Sequence, residues 1–438
     1  MIARRLSTVG AVSPFGDAGV SAMRKRLKLT FGGVVVVGLS VVGAAVGEPA
    51  GLLVGAASAT VNPPAGTYLA GYDPNRLSTG VHDDLWAKAV VFDDGALRLA
   101  LVVVDSIGLQ YDTVCAIRSA AARGVEGLEP ERVVVQSTHT HCGPDVIGIW
   151  GKDLEHTGRD PGYLAQLTET AAAQVARAAQ RLKRCRLVYA QTECAGWAVN
   201  DSEPKVLDNS VTVLQCLDEA GASVVTLTNF ACHPTVLDGD TTLVSSDWVG
   251  SFYVAMAKAL PGEHLFLQGA VGCWIQPVTP ERTFGLAERY GKDLAAKTAA
   301  ALKKPEGLLD SSLRFARKVF GMPLGESTPY HMFGEAGLIP RDFGETVETE
   351  VVWFAVGSAQ FATHPAETAP LYAAKTRALM DTGPRFILGL GLDELGYICP
   401  TAYFDAPAEY LHATYLTSMS PGRDAGSAMM SALATVIP

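Results

Sequence analysis

The chain alternates short, β-branched apolar runs with longer segments whose apolar residues recur at helical spacing. Lys88 to Phe92 and Leu97 to Val104 are apolar runs joined by Asp93-Asp94-Gly95, a strong hairpin pattern. No internal repeat or low-complexity linker interrupts this alternation. The pattern predicts an α/β fold with a large mixed β-sheet core flanked by helices.

The individual elements follow from the same periodicities and from helix-capping residues. Asp112 is predicted to cap one helix, and Asp160-Pro161 have the order expected of a cap and a first-turn proline. The predicted strands cover residues 51–56, 88–92, 97–104, 132–136, 185–191, 210–217, 223–230, 264–268, a pair within 350–361, and 386–390. The predicted helices cover residues 112–123, 160–182, 247–260, 284–303, 368–381, and a last helix after Pro421.

Composition limits the class of protein. With 438 residues, of which 48% are hydrophobic and 18% charged, the chain can bury a large core, and we expect a single domain over residues 52–438. The net charge of −10 and the absence of a basic stripe in the body of the chain predict that nucleic acid is not a partner.

Residues 1–46 have the composition of a targeting segment. Basic residues at 24–28 precede a nearly uncharged run from Leu29 to Val46 that ends in small residues. This order favours a signal peptide, although a run of this length could also act as an N-terminal membrane anchor. We therefore expect a secreted or periplasmic protein, with anchoring by this apolar segment as the alternative.

Candidate chemistry is concentrated where predicted strands end. The strand at 132–136 runs into Thr138-His139-Thr140-His141 and stops at Gly143-Pro144. In extended backbone, side chains two residues apart point to the same side, so His139 and His141 should converge. Two such imidazoles could share a metal, or one could bind it while the other transfers protons, or both could be ordinary surface residues.

Three further residues occupy similar positions. His233, in Ala231-Cys232-His233-Pro234, follows the strand at 223–230 and could be either a loop histidine or a ligand. Glu367, in His364-Pro365-Ala366-Glu367-Thr368, could complement a helix dipole or complete a zinc site. Tyr397, in Asp393-Glu394-Leu395-Gly396-Tyr397, could be a core aromatic residue or a phenol that reaches a metal or an oxyanion.

Taken in order, THTHCGPD, NFACHPT with VSSDW, HPAET and DELGY resemble the neutral ceramidase family of zinc amidases, over residues 52 to 420. The resemblance implies a Zn²⁺ cofactor bound by His139, His233, Glu367 and Tyr397. It further implies that a hydroxide activated by zinc attacks the acyl carbon while His141 transfers protons. Tyr415 falls where the family has a second tyrosine that stabilises the oxyanion, at a longer spacing from Tyr397.

The substrate side departs from that family. Asp201 stands where the family has an arginine, and Gly272-Cys273-Trp274 replaces its usual Gly-Asp sequence. We expect Asp201 to contact substrate and to favour neutral or cationic head groups. The chain also ends at Pro438, without the immunoglobulin-like domain that follows the catalytic domain in typical ceramidases.

These observations predict a zinc hydrolase that cleaves the C–N bond of a small or lipid-like N-acyl amide, with access from a membrane surface. An esterase or lactonase uses the same chemistry, because an activated hydroxide attacks either carbonyl. A catalytically inactive zinc-binding or ligand-binding protein is the alternative from another class, and the altered substrate motifs are the argument for it.

Overall fold

The structure is a computed structural model that describes residues 51–202, 205–326 and 328–438. The strands are β1 (Leu53–Thr60), β2 (Gly80–Val81), β3 (Trp86–Asp93), β4 (Arg98–Val104), β5 (Val133–Ser137), β6 (Lys183–Glu193), β7 (Ala198–Asn200), β8 (Ser210–Asp218), β9 (Ser223–Phe230), β10 (Leu243–Val244), β11 (Glu263–Gln268), β12 (Ile275–Pro277), β13 (Gly307–Leu309), β14 (Leu313–Pro323), β15 (Thr346–Val356), β16 (Ala359–Thr363), β17 (Glu367–Thr368), β18 (Arg385–Leu388) and β19 (Tyr397–Ile398). The helices are α1 (Tyr111–Arg123), α2 (Pro161–Ala179), α3 (Trp248–Ala259), α4 (Phe284–Ala301), α5 (Tyr330–Glu335), α6 (Pro370–Leu379), α7 (Thr401–Asp405), α8 (Ala413–Ser418) and α9 (Ala425–Val436), with 3₁₀ turns at Pro130–Arg132 and Pro407–Glu409.

A nine-stranded mixed sheet forms the centre of the fold, in the order β11-β9-β8-β6-β1-β3-β4-β5, with β13 paired to β6. Its β4–β5 and β9–β11 pairs are parallel, and the remaining pairs are antiparallel. A second sheet has the order β14-β15-β16-β18, with only β16–β18 parallel. The predicted α/β fold with a large mixed sheet is confirmed.

The two sheets share one core. Alternate residues of β11 point to opposite faces, so that Phe266 packs with α3 and α4 while Leu265 and Leu267 lie in the central core. From the second sheet, Phe354 and Phe361 enter the same central core and stack face to face, with ring centroids 4.5 Å apart. Helix α9 covers the other face of the second sheet.

Amide side chains join the sheets at the ends of the strands. Gln136 of β5 donates through Nε2 to the carbonyls of Gln268 (2.7 Å) and Gly389 (2.9 Å). Asn229 of β9 donates to the carbonyls of Leu267 (2.8 Å) and Ile387 (3.0 Å). Because these residues are fully buried, the bonds fix the chain segments that leave the carboxyl ends of the strands.

Most predicted elements are confirmed, and the exceptions have simple causes. Asp160 caps α2 through hydrogen bonds from the backbone of Gly162 and Tyr163, as predicted. Asp112, in contrast, lies in the first turn of α1; the cap position is Gln110, whose side chain makes no capping bond. The predicted cap at Asp112 is therefore wrong.

The described residues, from Gly51 to Pro438, form one compact unit, whereas the predicted targeting segment, residues 1–46, lies outside them. Within the described ranges, no helix has the length and apolar character needed to cross a membrane. We correct the predicted localisation accordingly: a membrane anchor is not supported, and the finding does not establish a secreted or periplasmic location.

Candidate active site

His139 lies just beyond β5, in a backbone conformation that side-chain-bearing residues rarely adopt. Its φ is +74°, so the backbone turns here, and the predicted extended geometry for this pair of histidines is wrong. The turn nevertheless brings Nε2 of His139 to 3.3 Å from Nε2 of His141. The Nδ1 atom of His139 hydrogen-bonds the carbonyl oxygen of Ile107 at 2.5 Å.

The three histidines predicted from the strand ends meet in one place. Their candidate ligand nitrogens all lie within 4.8 Å of one another. His141 hydrogen-bonds the Gly71 carbonyl through Nδ1 at 3.0 Å, and His233 hydrogen-bonds the Ile275 carbonyl through Nδ1 at 2.7 Å. A carbonyl can only accept, so each of the three rings donates through Nδ1 and turns Nε2 towards the others.

A short parallel ladder explains how Glu367 and Tyr397 come together. Strands β17 and β19 are only two residues long, and Glu367 pairs with Tyr397 in their register. The backbone N–H of Glu367 also donates to the carbonyl of Gly396 at 2.8 Å. The two motifs, about thirty residues apart in sequence, are thus joined side by side.

The carboxylate of Glu367 bridges two of the histidines. Oε1 lies 3.3 Å from Nε2 of His139, and Oε2 lies 3.1 Å from Nε2 of His233. Burial by itself raises the pKa of this carboxyl, but the charge of His139 and His233, when these rings are protonated, outweighs it and holds the pKa below the usual range. The pKa of His141 is lowered well below its ordinary value, by burial first and then by the other two histidines.

The donor set fits a divalent metal ion. When these rings are neutral, with the proton on Nδ1, the Nε2 lone pairs of His139 and His233 face carboxylate oxygens. A cation among them satisfies all of these lone pairs at once, and imidazole and carboxylate are ligands that zinc prefers. Backbone carbonyls behind each ring are the supporting contacts common in metal sites.

Tyr415 reaches the same site although it lies on the short helix α8. Its ring centroid is 6.1 Å from that of Tyr397, and the two phenols are hydrogen-bonded. Trp274 lies 5.7 Å from Tyr415 and hydrogen-bonds Tyr397. Burial first, then the charge of Glu367, raises the pKa of both phenols, so each is a hydrogen-bond donor in neutral solution.

Two cavities open on either side of this centre, and His141, Tyr397 and Tyr415 line both of them. One, of about 270 Å³, has mainly apolar and aromatic walls; we call it the apolar cavity. The other, of about 230 Å³, is lined by polar side chains that include Asp238 and Arg282; we call it the polar cavity. The two together could hold both sides of a bond placed at the centre.

Not every histidine or acid quoted from the motifs belongs to the site. His364 is a buried core residue, whose ring nitrogens lie 2.7 Å and 2.9 Å from the hydroxyls of Thr368 and Thr376. Asp201 is exposed and lies near His412; among the described residues it is not part of either cavity wall. A role for Asp201 in substrate binding stays a prediction.

Several residues of the site were not singled out from the sequence. Arg282 is held in the polar cavity by an ion pair with Asp238 (2.9 Å) and by a hydrogen bond to the Thr235 carbonyl (3.2 Å). Glu394 is buried in the wall of the apolar cavity. Two adjacent acids flanked by leucines, in Leu392-Asp393-Glu394-Leu395, were the sequence pattern that could have revealed Glu394.

Fold and site together define an α/β enzyme with a candidate metal centre at the carboxyl ends of its strands. A family model for neutral/alkaline non-lysosomal ceramidase, N-terminal, matches residues 52–272. The chain belongs to this ceramidase family, and the resemblance inferred from the motifs is confirmed. Membership places the protein among the hydrolases.

Solved structures support the same fold. The crystal structure of neutral ceramidase from Pseudomonas aeruginosa matches with a TM-score of 0.73 and 16% identity, over 89% of this chain and 76% of that one. A ceramidase complexed with C2 matches with a TM-score of 0.71 and 15% identity, over 88% and 74% of the two chains. Comparison with curated protein sequences gives no significant match.

Proposed function

We propose that this protein is a zinc-dependent amidase that hydrolyses the C–N bond of an N-acyl amide. One observation carries the proposal: three imidazoles, each held at Nδ1 by a backbone carbonyl, turn Nε2 towards one another and towards a buried carboxylate, between two cavities. A metal cation placed among them would be bound by the imidazole nitrogens and the carboxylate together. The ceramidase family supplies the reaction class.

His139, His233, Glu367 and Tyr397 would hold the metal, which gives four ligands from the protein. When bound, zinc lowers the pKa of a water molecule to roughly 7 and polarises a carbonyl group. The carbonyls of Ile107 and Ile275 orient the two imidazoles. Trp274 orients the phenol of Tyr397 through a hydrogen bond.

His141 would transfer the protons. Its Nε2 faces the centre, and the lowered pKa leaves that nitrogen unprotonated and able to accept a proton from water. The same nitrogen would then donate to the departing amine, whose nitrogen must be protonated before it can leave. The Gly71 carbonyl fixes the ring by accepting from Nδ1.

Tyr415 would stabilise the negative charge that develops on the acyl oxygen. A phenol whose pKa is raised by burial remains a donor, and a donor that is already in position costs no reorganisation when charge appears. The apolar and polar cavities would receive the two sides of the amide. Each is below the roughly 300 Å³ at which small-molecule sites usually begin, so we expect short or medium-length groups on both sides.

The test is hydrolysis of matched substrates by the zinc-loaded protein. N-acyl amides of increasing acyl length, including ceramides, are assayed beside the corresponding esters, with a chelated sample as control. We expect amide hydrolysis that is lost on chelation and restored by zinc. Hydrolysis of the esters alone would make the protein an esterase, and metal-independent amide hydrolysis would contradict the role of the centre.

A further inference from the structure

Glu394 is a buried acid in the apolar cavity with half of its carboxyl group unpaired. The residue is 5% exposed and lines the cavity wall. Its Oε1 accepts a hydrogen bond from the backbone N–H of Gly396 at 2.9 Å. Its Oε2 is buried and has no hydrogen-bond partner among the described residues. An unpaired carboxyl oxygen in such a place costs stability, which suggests that a ligand completes it.

The chain makes room for this carboxyl at Gly108. A Cβ atom there would lie 2.6 Å from Cγ and 3.0 Å from Oε2 of Glu394, so a side chain at Gly108 would displace the acid. Gln110, the neighbouring amide on the same wall, is already engaged: Nε2 donates to the carbonyl of Glu394 (2.8 Å), and Oε1 accepts from Arg341 (3.4 Å). Oε2 of Glu394 is therefore the buried polar atom that lacks a partner on this part of the wall.

The rest of the wall suits a cation that carries an apolar group. Trp150, Phe333 and Tyr330 contribute aromatic rings, whose faces attract cations. No Lys or Arg side chain lines this cavity among the described residues. Burial first, and then the charge of Glu367, raises the pKa of the Glu394 carboxyl well above its usual range, and a cationic partner is what would stabilise its charged form.

We propose that Glu394 forms a subsite for a protonated amino group, and that the apolar cavity takes a substrate portion in which an ammonium group is attached to a short apolar or aromatic segment. This inference rests on the proposed function, because it names the class of substrate for that site. A carboxylate–ammonium hydrogen bond inside an apolar wall discriminates strongly against an uncharged isostere, which leaves the acid unpaired.

The test measures binding, so it does not depend on turnover. Titration calorimetry at about pH 7, on the zinc-loaded full chain, compares benzylammonium with benzyl alcohol, which has a similar shape and no charge. Benzyltrimethylammonium is the third probe: it has no lone pair and cannot bind through the metal. Glu394→Gln removes the charge with little change of shape, and Glu394→Met is the second variant if the first does not fold. Glu155→Gln, an exposed acid next to Leu154 at the cavity wall, is the matched control.

We expect the wild type and Glu155→Gln to bind benzylammonium on the order of tenfold or more tighter than the alcohol, as a charge-assisted hydrogen bond gives. Benzyltrimethylammonium has no N–H to donate, so it should show a smaller preference over the alcohol that comes from its charge alone. Either Glu394 variant should abolish this preference while still binding the alcohol. Equal affinity for all probes in the wild type, or a preference that survives in a folded Glu394 variant, would overturn the proposal. A protein that shows the Glu394-dependent preference but hydrolyses no amide would refute the proposed function alone.

Discussion

Replacing His141 by alanine separates two roles that this residue could have at the centre. Its Nε2 is 3.3 Å from that of His139 and is geometrically able to bind the same ion. If His141 transfers protons, the variant retains His139, His233, Glu367 and Tyr397, which would be enough protein ligands to hold zinc. Zinc should then remain at about one ion per chain.

The expected loss lies in turnover. A positioned general acid–base contributes about 10² to 10⁴ in rate, equivalent to roughly 2.7 to 5.4 kcal/mol of barrier. The assay is zinc content by mass spectrometry together with kcat on an amide substrate that the wild type cleaves. Gly71→Ala is a companion variant: its new Cβ would lie 2.5 to 2.6 Å from His141 atoms, at a φ of +96°, and should displace the ring without removing it.

We expect Gly71→Ala to lower kcat in the same direction as His141→Ala, by a smaller factor, and to retain zinc. A metal-free His141→Ala protein would refute this reasoning. In that case His141 is a ligand, as the grouping of the three histidines allows, and another group must protonate the leaving amine.

Three further variants test the structure around the site. Gly272→Ala would place a methyl group 2.4 Å from the carbonyl oxygen of Glu367. It should therefore destabilise the fold by about 1 to 3 kcal/mol and lower zinc occupancy. A variant that matches the wild type in urea unfolding and metal analysis would contradict this packing. The Arg341 guanidinium is hydrogen-bonded to both carboxylate oxygens of Asp393, at 2.8 and 2.9 Å, and Asp393→Ala would remove this buried partner. Urea unfolding should show that the free energy of unfolding falls by about 3 kcal/mol or more. A decrease of under about 1 kcal/mol would show that the pair is not a buried one. His364 has a pKa lowered to about 3 by burial and then by a nearby arginine, so the unfolded chain takes up a proton between pH 6.5 and 3 that the folded protein does not. The free energy of unfolding should therefore decrease as the pH is lowered through that window, by up to roughly 1.4 kcal/mol per pH unit. His364→Gln should make this dependence on pH weaker. An equal slope in both proteins would contradict the assignment.

The sequence predicted the strands and helices whose own residues carry a clear pattern of apolar and turn residues. The strand Ser223–Phe230 matches its predicted range, because a β-branched run between turn residues leaves few alternatives. Strand β14 was not predicted: most of its side chains are partly or fully exposed, so it lacks a clear apolar pattern, and its place depends on pairing with β15.

The site was predictable as a set of motifs and not as a geometry. Residue type and strand-end position singled out His139 and His233, but the left-handed turn at His139 depends on the tertiary structure. The pairing of Glu367 with Tyr397 requires a ladder between distant segments, which one sequence does not specify. Glu394 was missed for a similar reason, because only the folded cavity shows that its Oε2 has no partner.

Zinc content tests the central claim most directly, because the whole account depends on one metal ion at this centre. Mass spectrometry of the purified protein should find about one zinc per chain, as a mononuclear site requires. His233→Ala and Glu367→Ala should each lose it, while His156→Ala, at an exposed histidine paired with Asp153, should retain it. Full zinc occupancy in both ligand variants, or a wild-type protein that binds no metal when zinc is supplied, would contradict the account.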